Sequence, residues 1–216
     1  MNEAMFCIGV LGSSVCAVDF VKLAMEVRKY MPIIISNIPW MSFNIFLALV
    51  PVLFGWLIKG TTSKLLRIIY GAVWIIFLPN TLYLLTDITH IFENIYQVEG
   101  IYKAILIFQY LLLLILGIIT YFAAVYPAEK VFINSMKWNK TAFIIIINIL
   151  VGFGMTLGRV ERINSWDILS NISSVISASV QVLVSKDLLL LILLFTIMST
   201  LIYLSLHTLV VKIENV

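Results

Sequence analysis

The chain has 216 residues, of which 62% are hydrophobic and 12% charged, with a mean hydropathy of +1.09. Soluble domains carry about 25% charged residues, and 11 acidic plus 14 basic side chains are too few to cover a water-facing surface of this length. A soluble globule is excluded. A nucleic-acid-binding face is excluded too, because the net charge of +3 is dispersed over short hydrophilic gaps without a basic cluster.

A bilayer core about 30 Å thick is crossed by roughly 20 helical residues at about 1.5 Å each. Six apolar runs approach that length: residues 4–25, 38–58, 65–91, 101–126, 142–158 and 187–211. Chain at membrane depth must satisfy its own backbone groups. The expected fold is therefore all-α, a polytopic transmembrane helix bundle of about six spans forming a single integral membrane domain over residues 1–216. The first run is the weakest span, since it contains Asp19 and Lys22. It also holds Cys7 and Cys16, too few for a disulfide framework. No Lys or Arg precedes it and no clean small-x-small site follows it, so it reads as a retained segment rather than a signal peptide. The third run contains Pro79, which removes a backbone donor and restricts Leu78, so that span is expected to be broken. Between the last two runs, Ile172, Ile176, Val180 and Val184 recur at helical spacing opposite several serines, the pattern of a short interfacial helix.

Taking the gaps after the first, third and fifth runs as side A and the rest as side B, Lys and Arg divide seven against seven. Setting Arg159 and Arg162 aside as site residues leaves five against seven, which turns side B toward the cytoplasm.

Downstream of Pro79, Asn80, Tyr83, Asp87, His90 and Asn94 fall at i, i+3, i+7, i+10 and i+14. At about 100° per residue they fit an arc of roughly 80°, one polar face on an otherwise apolar helix. Asn80 and Tyr83 can serve simply to repair the hydrogen bonding around the proline, with Asp87 and His90 solvated near the headgroups. Alternatively the stripe lines a cavity, because an ionised group at membrane depth costs about 2.5–3.5 kcal/mol unless paired or hydrated. After the fifth run, Gly154 and Gly158 form a small-xxx-small pair that admits a close helix neighbour. Arg159 and Arg162, three residues apart, can form an anion clamp matching phosphate or carboxylate, or merely complement the helix dipole. Asn164 with Asp167 resembles a helix cap with an acid at its third position.

Chain parity brings the ends of the third and fifth runs to side A, with Asn44 near the start of the second run and Gln109 early in the fourth. His207 falls on side B with Thr196, Ser199, Thr200 and Tyr203 near its face, an arrangement read as helix packing.

The Phe-Leu-Pro79-Asn80-x-x-Tyr83-x-x-Thr86-Asp87-x-x-His90 core, and Gly154-x-x-x-Gly158-Arg159 leading to Asn164-Ser165-Trp166-Asp167, resemble the bacterial membrane family catalogued as domain of unknown function 1361. Asn44 with Leu47, Ala48 and Pro51 resembles its early span, so the likeness covers roughly residues 40–205. It implies a multi-spanning membrane protein of the bacterial cytoplasmic membrane and carries over no catalytic residue.

The residues themselves support an enzyme with Asp87 and His90 as an acid/base pair. Asn44, Asn80, Tyr83, Arg159, Arg162, Asn164, Ser165 and Asp167 would then hold an anionic or lipid-linked substrate at one membrane face. A divalent cation on Asp87, His90 and Asp167 is the weaker alternative to having no cofactor, and no phosphate loop, nucleophile elbow or His-Glu-x-x-His zinc motif is present. Two other classes stay open. A carrier would use the break at Pro79 as a discontinuous helix, although no internal repeat or full polar path is visible. A binding or assembly protein would keep the polar layer for structure. The bilayer is the one partner that composition requires.

Overall fold

A computed structural model describes residues 7–10 and 13–214, with side chains from 21 to 213. Of the first apolar run, residues 4–6, 11 and 12 lie outside the described residues. The remainder begins as an antiparallel hairpin, β1 (Cys7–Val10) and β2 (Ser13–Cys16), which pairs Cys7 with Cys16.

The main helix α1 then runs from Ala17 to Gly60 without interruption. Its 44 residues span roughly 65 Å at about 1.5 Å each, twice the thickness of a bilayer core. The end of the 4–25 run, from Ala17 onward, and the run at 38–58 thus meet in one helix, and five helices among the described residues are long and apolar enough to cross a membrane. The intervening residues contain no glycine to end the helix, and Pro32, Pro39 and Pro51 are accommodated inside it. Lys22, Glu26, Arg28 and Lys29 gather in its first part, leaving the apolar part after Pro32 to enter the bilayer.

After Gly60 come α2 (Lys64–Phe77), capped by Ser63, and α3 (Pro79–Thr86), separated by the break expected at Pro79. A 3-10 turn over Asp87–His90 and the short α4 (Ile91–Asn94) complete this span. The remaining crossings are α5 (Gly100–Asn134), α6 (Lys140–Val160) and α9 (Lys186–Glu214). Between the last two lie α7 (Asp167–Ser170) and α8 (Ile172–Val184). Helix α8 buries Ala178 and Val182 and turns Ile172, Ile176, Val180 and Val184 outward, so the apolar stripe faces away from the bundle. Leu and Ile side chains on α1, α2, α5 and α9 are likewise exposed, as a bilayer solvent requires.

Helix α5 is the centre of the bundle. Toward side B it packs with α2, α6 and α9 around Trp74, Tyr121, Phe143 and Tyr203. Toward side A it packs with α1 around Tyr30, Met41, Tyr102 and Tyr110. A third, smaller core of Leu157, Ala178 and Val182 seats α8 against α6.

Candidate functional site

The break at Pro79 organises side A. Leu78 still donates to the carbonyl of Trp74, but Thr81 donates to Leu78 rather than continuing the ladder, which leaves upstream carbonyls unsatisfied. Asn80 answers one of them: its Nδ2 donates to the Phe77 carbonyl at 3.1 Å and to Ser165 Oγ at 2.8 Å. Ser165 Oγ in turn donates to the Ile76 carbonyl at 3.1 Å. The segment after α6 is therefore stitched directly to the interrupted helix. Gly154 makes the approach possible, because a Cβ there would lie 2.3 Å from Cγ of Pro79. Beside it, Tyr83 lies against Gly158.

Asp87 sits one turn further along and is buried. Its Oδ2 accepts from Asn44 Nδ2 at 2.9 Å, and its Oδ1 lies 3.9 Å from Nη1 of Arg159, whose other nitrogen donates to Thr89 Oγ1. The carboxylate is thus held by α1 on one side and by the end of α6 on the other. His90 lies at the rim with its side chain 42% exposed, its Nδ1 3.4 Å from Glu93 Oε2 and its ring edge-on to Trp40.

These groups surround a cavity of about 610 Å³ between α1, α3, α6, α8 and the 161–166 segment. Asn80, Tyr83, Asp87, His90 and Asn94 all line it, although the 3-10 turn tightens the helix midway through the stripe. Asn44, Asn164 and Ser165 line it as well. Its other wall is apolar, with Phe43, Leu47, Ile75, Leu150, Phe153 and Val175. Trp166 meets Phe43 edge-on beside it.

Three residues singled out in the sequence are placed differently. Arg159 stands behind Asp87 rather than among the lining residues. Arg162 is exposed with φ of 55°, the left-handed position that closes α6, where Glu161 and Ile163 both donate back to the Leu157 carbonyl. Asp167 does not join Asp87 and His90. It accepts from its own segment, at 2.6 Å from the Asn164 amide and 3.3 Å from Ser170 Oγ, as the capping reading allows. Among the described residues no three His, Cys, Asp or Glu side chains gather in a way that would hold a metal ion. Gln109 also stays outside the cavity, donating to the Ile34 carbonyl of α1 at 3.3 Å.

The family model described as protein of unknown function DUF1361 matches residues 43–202. The chain belongs to that family. No curated protein and no solved structure matches it. The DUF1361 region carries both stitched segments, whereas Asn37 and Trp40, which also line the cavity, precede it. These two escaped the sequence reading, as did Glu93, while Trp166 stood in the Asn164-Ser165-Trp166-Asp167 motif without a place in the site. The available signal was Asn37, Trp40 and Asn44 at i, i+3 and i+7 on one helix face.

A second polar cluster was also missed. Toward side B, the buried Glu129 of α5 accepts from Tyr203 and lies 3.2 Å from Lys140 and 3.7 Å from His207. Lys140 Nζ is 2.9 Å from His207 Nε2. His207 therefore belongs to an ionic cluster joining α5, α6 and α9. The hydroxyls of Ser199 and Thr200 return to carbonyls of their own helix, and that of Thr196 does so while also reaching the Asn148 carbonyl of α6 at 3.4 Å.

Proposed function

We propose that this protein binds a lipid-linked substrate at the side A face of a bacterial cytoplasmic membrane, and that His90, oriented by Glu93, is its proton-transfer group. One observation carries the reading. A single cavity among membrane-length helices has a carboxamide and carboxylate wall facing an aliphatic and aromatic wall. That division matches a molecule with a polar head and an apolar tail, and its volume lies within the range of about 300–1,000 Å³ usual for ligand sites. Asp87 is closed in by Asn44 and Arg159 and acts as the anchor that joins α1, α3 and α6. The imidazole of His90 lies at the rim, accessible from the cavity and held beside the Glu93 carboxylate, where a ring nitrogen can pass a proton to or from a bound group.

The test is lipid analysis of the purified protein. The wild type should retain an amphiphile enriched over the bulk membrane extract. Val175→Trp, which fills the cavity from α8, should lose it while melting at a similar temperature. Identical lipid profiles for the wild type, Val175→Trp and an unrelated membrane protein would overturn the proposal.

A further inference from the structure

The hydrogen-bonding state of the cavity wall specifies the head chemistry, an inference that rests on the amphiphile-binding reading above. Five carboxamides line the cavity, those of Asn37, Asn44, Asn80, Asn94 and the exposed Asn164, and the side chains of the first four have partners. Their orientations follow from partners that can act in one sense only. Asn44 faces the Asp87 carboxylate, which accepts, so Asn44 presents its nitrogen and keeps Oδ1 free. Asn80 faces the Phe77 carbonyl, which also accepts, so it too keeps Oδ1 free. Trp40 Nε1 can only donate, and it does so to Asn37 Oδ1 at 3.3 Å. Asn94 must then offer its nitrogen to that same oxygen, at 3.5 Å, and its own Oδ1 is left over. The result is three carboxamide oxygens to which none of these hydrogen bonds is made, the Asn94 side chain lying beside the buried Tyr110 hydroxyl. Opposed to them, among the residues that line the cavity, is one buried donor without an acceptor, Nδ2 of Asn37, whose residue is only 3% exposed.

A wall of this kind selects by elimination. A phosphate head could accept from Tyr83, Trp166 and Asn164, but its negative charge would meet Asp87 and Glu93 with no Lys or Arg in the lining to offset them. An ammonium head suits the oxygens but has no lone pair for Asn37 Nδ2. A hydroxyl both donates and accepts, and several hydroxyls on one ring or chain satisfy the whole set. Trp40 and Tyr83 add aromatic surface for the apolar face of such a ring. We infer that the site takes an uncharged, hydroxyl-bearing head, a sugar or polyol, on an apolar tail.

Three probes with a common tail test this: octyl glucoside, octyl phosphate and octylammonium, each kept below its micellar concentration. They are titrated calorimetrically into the protein in nanodiscs, with empty nanodiscs as the partition control. Octyl glucoside should give saturable binding and the other two only partition heat. Loss of one hydrogen bond in Asn37→Leu should weaken glucoside binding by about tenfold. Asn94→Ala, at a partly exposed position, should do the same and keeps the test available if Asn37→Leu does not fold. Tighter binding of octyl phosphate or octylammonium would overturn the head assignment and leave the amphiphile site standing. Wild-type glucoside affinity in both variants would also overturn it. Failure of all three probes to bind would remove the head assignment and the amphiphile site together.

Discussion

Gly154→Ala tests the contact on which the whole side A arrangement depends. The added Cβ would meet Cγ of Pro79 at 2.3 Å and Cβ of Pro79 at 2.9 Å, where carbon atoms settle at about 3.5–4.0 Å. The pyrrolidine ring cannot rotate aside, because it is closed onto its own backbone at the first turn of α3. The start of α3 must therefore retreat from α6 by more than about 1 Å. That movement pulls Asn80 from Ser165, now 2.8 Å apart, and widens the cavity. Overpacking of this kind costs about 1–3 kcal/mol. Alanine regains about 1 kcal/mol over glycine in a helix interior. The natural control is Gly71→Ala, where a Cβ meets nothing within 4 Å, so it keeps the helix gain with no clash. A difference of about 2 kcal/mol between the two variants corresponds to roughly 4–8 °C for a chain of this size. Thermal unfolding of both variants in one detergent, followed by intrinsic fluorescence, measures it. Equal melting temperatures would refute the argument that Gly154 is required by the proximity of Pro79.

Removing the guanidinium in Arg159→Ala leaves the buried Asp87 with Asn44 and the nearby His90, and should destabilise the protein by about 1–3 kcal/mol. Adding Asp87→Asn removes the stranded charge, so the double variant should melt above the single one, which a double-mutant cycle of unfolding reads directly. Arg162→Gly should raise stability by about 1 kcal/mol, because glycine adopts the φ of 55° at the end of α6 without the steric penalty of a side chain. If Arg162 holds an anion, the same variant would lose ligand affinity, and calorimetry separates the two outcomes. Tyr203→Phe takes a donor from the buried Glu129 and should cost about 1–3 kcal/mol in chemical unfolding, whereas Thr208→Val, at an exposed position near the end of the same helix, should change little.

Composition and apolar run length were enough to establish a multi-pass helical membrane protein, because a bilayer imposes both a span length and a closed backbone on any chain that crosses it. The break at Pro79 was equally legible, since a missing N–H is a local covalent fact. So was the stripe from Asn80 to Asn94, because helical spacing places its residues on one face before any packing occurs. The ending of the first span was not legible. Helix α1 continues through Pro32 and Pro39, and whether a proline ends a helix depends on the neighbours that satisfy the freed carbonyl. The partners of each polar group were also beyond the sequence. Chain parity placed Arg159 and Asp87 at one membrane face, but only the packing of α3 on α6 turned the guanidinium behind the carboxylate rather than into the cavity. Helical periodicity fixes direction around one axis, whereas a site is made by the relative rotation and depth of several. Those were set here by close contacts such as Gly154 on Pro79, which depend on the shapes of both helices together.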